Sequence, residues 1–342
     1  MERPSLRRVA VATIQYGIGL LALWWLLSQV RLGDVVDLLG RLDALTIAAI
    51  VVVTAVGLVG RFYTWHAVLN RVQPVSLRAA GSTDLIVNFV NQLLPSRLSG
   101  RVAAPFVLRS RVGMAYSDAA AVSGVHTGIY AILYGVTAAL GIAFALTQLS
   151  VEIVLLLVLS TGLYLAAGAF VLLAGVNLTL LDRLVLGLER ALSHVPRVGA
   201  SLAARLDGAV EFTEASSGVF RDLASSPRVW AGYAAGWVLA LVLAPGIRVW
   251  LLLGAFGTPF EPAVLLPLYL VAAYSVTLLP LTPGGIGVTE ATATVVFVAL
   301  GVPSSVIVPV VFIDRFLGVY LPAVAGWYPS LQLDLSKLST ED

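Results

Sequence analysis

The 342-residue sequence is 59% hydrophobic and only 12% charged, with a mean hydropathy of +0.94. A soluble domain carries roughly 25% charged residues, so this composition excludes one and points to an all-α polytopic membrane protein. The net charge of +2 comes from 21 basic residues, all arginine except Lys337, against 19 acids; they flank apolar runs as membrane topology requires, which gives no reason to expect a nucleic-acid partner.

Arg3, Arg7 and Arg8 precede the first apolar run, Val9 to Val30. That run is too long for a signal-peptide core and reads as a retained span leaving the cytoplasm. Trp24 and Trp25 near its far end suit an interfacial belt. Arg31 to Ala44 mixes leucine and valine with Asp34, Asp37, Arg41 and Asp43, the pattern of a short amphipathic helix on the outer surface. Leu45 to about Leu69 returns to the cytoplasm. Residues 79–114 then break the pattern. An apolar stretch carrying Asp84, Asn88, Asn91 and Gln92 runs into Pro95-Ser-Arg97-Leu-Ser-Gly-Arg101, and a second short apolar piece ends near Leu108. Arginines flank both sides, and neither arm securely reaches the ~20 residues of a spanning helix. A re-entrant hairpin entering from the cytoplasm fits.

Asp118 to Leu146 crosses outward and Ser150 to Gly175 returns. Residues 177–228 are the one extended polar region and read as a cytoplasmic linker of two amphipathic helices, dividing a first half (1–175) from a second (229–328). Val229 to Gly254 crosses outward. Residues 263–301 form a second broken element, here flanked by outer loops, and Val306 to Tyr328 is the last span. The expected architecture is one integral membrane domain of about six full spans and two re-entrant helical hairpins. Hairpins entering from opposite faces suggest an inverted repeat. Both termini are placed in the cytoplasm, and the location is the cell membrane.

The second break carries the chemistry. Leu279 to Glu290 holds two prolines, three glycines and a carboxylate inside an apolar region. Proline lacks the backbone donor, and broken backbone at membrane depth survives only when buried in protein or lining a wet cavity. Glu290 sits where a new helix begins, at its positive end. The plainer reading is a kinked helix with a capping acid; the functional one is a site for a polar ligand. Asp314 and Arg315 are helix neighbours that cannot face each other, so each needs a partner elsewhere. Arg315 is expected to pair with Glu290 or to meet a ligand phosphate, while a structural ion pair between spans is the plain alternative. Arg97 follows the first break and suits bidentate phosphate contact, with Arg101 behind it. Arg61 and Arg248 read as side chains that snorkel to the interface.

Pro280-Leu-Thr-Pro-Gly-Gly-Ile-Gly287, followed by Glu290 and Arg315, resembles the signature of the lysylphosphatidylglycerol synthase transmembrane region, a flippase-like family. Asn91-Gln-Leu-Leu-Pro95-Ser-Arg97 is similar to that family's earlier Asn-x-x-Leu-Pro-x-Arg motif. Members usually continue that motif with Gly-Glu; here Ser99-Gly100-Arg101 stands instead. The resemblance runs from the first span to the last. A chain ending at Asp342 leaves no room for the aminoacyltransferase domain of longer members, so the resemblance implies the lipid-handling half.

The expected function is therefore to bind or translocate an anionic phospholipid or a polyisoprenyl-phosphate-linked substrate. Its candidate site comprises Asn91, Arg97, Arg101, Pro283, Gly284, Gly285, Gly287, Glu290, Asp314 and Arg315. The partner is a membrane lipid or lipid-linked headgroup. Two other readings stay open: a polytopic lipid-dependent glycosyl or aminoacyl transferase, and a non-catalytic partner that docks a separate cytoplasmic transferase through residues 177–228. The sequence has no Walker loop, nucleophile elbow or His-Glu-x-x-His, and no cysteine for thiolate chemistry. No cofactor or metal is expected, and no catalytic constellation is found.

Overall fold

The computed structural model describes residue 40 and residues 42–93, 103–176, 217–279 and 281–333. The expected first span Val9 to Val30, nearly all of the surface helix from Arg31, Arg97 and Arg101, Pro280, the linker up to residue 216 and the tail beyond 333 lie outside the described residues. The described chain is helical throughout, without a strand.

The helices in order are α1 (Ala44–Val72), α2 (Leu77–Leu93), α3 (Ala104–Val112), α4 (Tyr116–Ala145), α5 (Val151–Val176), α6 (Pro227–Ala255), α7 (Leu266–Tyr274), α8 (Val288–Ala299) and α9 (Ser304–Ser330). Five of them, α1, α4, α5, α6 and α9, are long and apolar enough to cross a membrane. Their outer faces carry exposed aliphatics such as Val51 and Val52 on α1 and Leu155 and Leu159 on α5, as a lipid-facing surface requires. The helices start where side chains replace the missing turn. Asp43 accepts from Thr46 N at 2.9 Å to begin α1, and Ser226 caps α6 ahead of Pro227.

Charge sorts to the two ends. Arg71, Arg109, Arg111, Arg221 and Arg228 gather at one, whereas Asp43, Glu152 and Glu261 mark the other. A helix at residues 217–225 packs under the arginine-rich end, with Phe220 and Leu223 buried and Arg71 paired to Asp222 at 2.8 Å. The last part of the expected linker is thus built into the bundle.

Both broken elements are hairpins. In the first, Gln73 Nε2 donates to Val112 O at 3.2 Å and Arg111 donates to Ser82 Oγ at 2.8 Å, so the chain enters and leaves at the arginine-rich end. α3 has nine residues, or about 14 Å of rise, far short of the ~30 Å hydrocarbon core. In the second hairpin Phe260, before α7, meets Phe297, near the end of α8, with ring centroids 5.7 Å apart; this one opens at the acidic end. The end of α2 meets the turn of the second hairpin. A Cβ added at Gly284 would overlap Gln92 Oε1 and stand 3.3 Å from Gln92 Cα. Opposed hairpins in contact are what an inverted repeat produces.

Small residues set the spacing of the spans. On α1 and α6, Gly60 and Gly236 are so close that a Cβ on either would come within 2.8 Å of the other's carbonyl oxygen. Gly326 of α9 lies similarly against the Leu85 carbonyl of α2. Close backbone approach is how helices associate where lipid supplies no hydrophobic drive.

Two spans widen into π turns at Leu239–Leu243 of α6 and Phe316–Tyr320 of α9. Each is followed at once by a proline pair, Ala244-Pro245 and Leu321-Pro322. Proline brings no N–H for the carbonyl four residues back and its ring collides with it; a widened turn relieves that collision and leaves carbonyls without helical donors.

Candidate functional site

The site grows from the second break. Gly284, Gly285 and Gly287 have φ of 60°, 74° and 82°, the left-handed region that L side chains avoid. They turn the chain from α7 into α8 within a few residues, with Pro283 buried beside them. Glu290, 1% exposed, reaches back so that Oε2 accepts from Gly287 N at 2.7 Å. This is the acid half of a capping box. Its Oε1 accepts from Arg315 Nε at 2.8 Å and from the Tyr320 hydroxyl. One carboxylate therefore fastens the break to the last span.

Arg315 is 3% exposed and lies over the rings of Tyr274 and Tyr320, 5.4 and 5.6 Å from their centroids. Its Nη2 is buried with no hydrogen-bond partner. Asp314 points the other way, as helix geometry demands. It accepts from Arg248 Nε at 2.9 Å and Nη2 at 2.7 Å through Oδ1, and from the Tyr274 hydroxyl at 2.9 Å through Oδ2. Tyr274 thus joins the two pairs into one buried network spanning α6, α7, α8 and α9. Here the expectation for Arg248 is corrected. It does not snorkel: it is 4% exposed and neutralises Asp314.

Arg61 is corrected in the same way. It stands 11 residues before the end of α1, about 16 Å of helix, too deep to reach the interface. It pairs with Asp84 of α2 at 2.8 Å and donates from Nη1 to Gly318 O at 3.0 Å. Gly318 O is the carbonyl that Pro322 leaves without a helical donor. Asn88 donates to the next one, Val319 O, at 3.1 Å. The π turn of α9 is thus held by polar side chains from the first half and, through Tyr320, by Glu290 from the second.

Between the two π turns lies a cavity of about 110 Å³, far more than the ~10–15 Å³ that one water needs. Arg61, Asp84, Asn88, Asn91, His126, Tyr130 and Trp237 contribute polar groups to its wall. Asn91 Oδ1 and Trp237 Nε1 are buried there without a hydrogen-bond partner, and so are both amide atoms of Gln92 at the contact with Gly284. Buried polar atoms normally find partners; the unpartnered Asn91 and Trp237 on the cavity wall are places where a polar ligand gains hydrogen bonds.

The model of the lysylphosphatidylglycerol synthase TM region family matches residues 9–326. The chain belongs to this family. No curated protein and no solved structure matches it significantly. Membership makes it a multi-pass membrane protein of a family tied to lipid metabolism. Of the residues singled out in the sequence, Pro283, Gly284, Gly285, Gly287, Glu290, Asp314 and Arg315 come together around the second break, away from the cavity, whereas Asn91 lines the cavity itself. Arg97 and Arg101 lie outside the described residues.

Arg61, Asp84, Arg248, Tyr274, Tyr320 and Trp237 were not expected in the site. Asp84 in an apolar helix, and arginines too deep in α1 and α6 to snorkel, were the available signals. Nothing in the sequence marked the tyrosines. Among the described residues, no group of three or more His, Asp or Glu side chains is placed to hold a metal ion.

Proposed function

We infer that this protein binds and translocates a lipid through its phosphate-bearing headgroup, either an anionic phospholipid or a polyisoprenyl phosphate. The observation that carries the reading is the pair of unpartnered buried polar atoms, Asn91 Oδ1 and Trp237 Nε1, on the wall of a cavity beside the first hairpin, close in sequence to Gln92, where that hairpin meets the second. Such a lining suits a polar headgroup whose tails stay in the bilayer. In this reading Asn91 hydrogen-bonds the headgroup, while Arg97, six residues later in the sequence, and Arg101 contact the phosphate. Arg315 supplies a second guanidinium through its free Nη2. Glu290 and Asp314 hold that region's arginines, and the Pro283–Gly287 backbone offers its turn to the ligand. Rocking of one hairpin against the other alternates access.

The test is a lipid-flipping assay in reconstituted vesicles. Arg97→Ala combined with Glu290→Gln is expected to lower the flipping rate at least tenfold while the protein stays folded by thermal unfolding. Equal rates for the folded double variant and wild type would contradict the reading. Turnover of a lipid-linked donor by the purified protein alone would favour a transferase instead.

A further inference from the structure

The Arg61–Asp84 pair belongs to neither break, yet it forms part of the cavity wall. Its side chains keep 17% and 11% of their surface accessible. Arg61 Nη2 meets Asp84 Oδ2 at 2.8 Å, and the Trp65 side chain also hydrogen-bonds the carboxylate. The groups around Asp84 are few. From α1 come Arg61 and the Trp65 side chain; from α4, across the cavity, His126 and Tyr130; from α6, Trp237. The cavity residues of α9 are Gly318 and Val319, whose carbonyls are taken by Arg61 and Asn88. On α3, which packs on α2, Arg111 is held by Ser82. Among the described residues lining the cavity, Arg61 is the one arginine and Asp84 the one carboxylate.

This arrangement is metastable toward an oxyanion. A guanidinium presents a fork that fits phosphate in bidentate fashion. A carboxylate buried without its cation is costly and neutralises by binding a proton. We propose that the pair exchanges partners with the headgroup: a phosphodiester oxyanion entering the cavity takes Arg61, and Asp84, released, takes up one proton from water. One O–H bond forms on the carboxylate as one breaks in a hydronium ion, leaving water, and the anion and proton together add no net charge. That neutrality suits passage through a low-dielectric core, where each uncompensated charge is expensive. The inference rests on the headgroup-binding reading above and adds its ion coupling: lipid and proton move together.

The experiment measures proton uptake by the detergent-solubilised full chain, in weak buffer with a pH dye, on adding dihexanoyl phosphatidylglycerol or tail-free dimethyl phosphate. Neither diester titrates near neutral pH, so any uptake belongs to the protein. Wild type is expected to take up about one proton per ligand bound. Its affinity then falls about tenfold per pH unit as pH rises between the points at which Asp84 titrates empty and loaded. Asp84→Asn is expected to bind with no uptake and a flat pH profile. Arg61→Lys keeps the cation but loses the fork, and should bind more weakly with the same proton count.

Binding by wild type without uptake, or uptake by Asp84→Asn equal to wild type, overturns the proposal. Should Asp84→Asn fail to fold, the wild-type proton count decides alone. Binding of both ligands assigns the site to the phosphodiester itself; binding of the lipid only assigns it to the lipid. The flipping assay is read separately. Flipping without proton uptake leaves the transport reading standing and sinks the coupling, whereas uptake on binding without flipping does the reverse.

Discussion

At the scale of single residues, the interior is governed by the cost of buried charge. Arg248, Asp314, Glu290 and Arg315 are each less than 5% exposed, and each charge has an opposite one within 2.9 Å. Removing one member strands the other, a loss of about 3–5 kcal/mol, whereas replacing both by apolar groups of similar size is often neutral. Arg248→Ala should therefore cost that much in unfolding experiments in detergent, and Arg248→Met with Asp314→Leu should recover most of it. A double variant as unstable as the single one would show that Tyr274, left without its acceptor, matters more than the charge pair. Glu290 differs because it also caps α8 and receives Tyr320. Its partners were half legible: the sequence offers Arg315 either to Glu290 or to a ligand phosphate, and the structure shows the first, but a tyrosine hydroxyl has no pattern that betrays which carboxylate it will meet.

At the scale of elements, the breaks and π turns decide what the polar groups can touch. Gly284 is left-handed and stands against Gln92. Gly284→Ala combines a backbone term of about 1–2 kcal/mol with a steric clash. Adding Gln92→Ala should relieve the clash and leave the backbone term, so the double variant should be the more stable of the two in thermal unfolding. If Gln92→Ala gives no relief, the end of α2 does not pack on Gly284. The π turn of α9 gives a second expectation. Pro322→Ala restores a donor for Gly318 O, competes with Arg61 for that carbonyl, and should change ligand affinity more than stability. Binding of dihexanoyl phosphatidylglycerol, measured beside thermal unfolding, checks it. The prolines are plain in the sequence, but the π turns ahead of them are not, because proline can equally well kink a helix without widening it.

At the scale of the whole molecule, the two hairpins face opposite ways, and cysteine chemistry can test this directly because the chain has no native cysteine. Single variants Leu77→Cys and Gly113→Cys should react with an impermeant maleimide from one side of sealed vesicles. Thr258→Cys and Ser304→Cys should react only from the other. Labelling of positions 77 and 113 from opposite sides would turn the first hairpin into two crossings and remove the inverted arrangement. The asymmetry of charge between the two ends supplies the orienting force, since arginines near span ends resist translocation.

Much of this was readable from the chain alone, because hydrophobic length and flanking charge act locally. The positions of the five described spans, the two interruptions and the glycine turn before Glu290 follow from runs of apolar residues and from what proline and glycine permit. The partners of Arg61, Asp84, Arg248 and Tyr274, and the cavity between the two π turns, were decided only when the helices packed. Hydrogen bonds join residues up to 257 positions apart. Their geometry depends on helix phase and on the close crossing at Gly60 and Gly236, which no local pattern encodes.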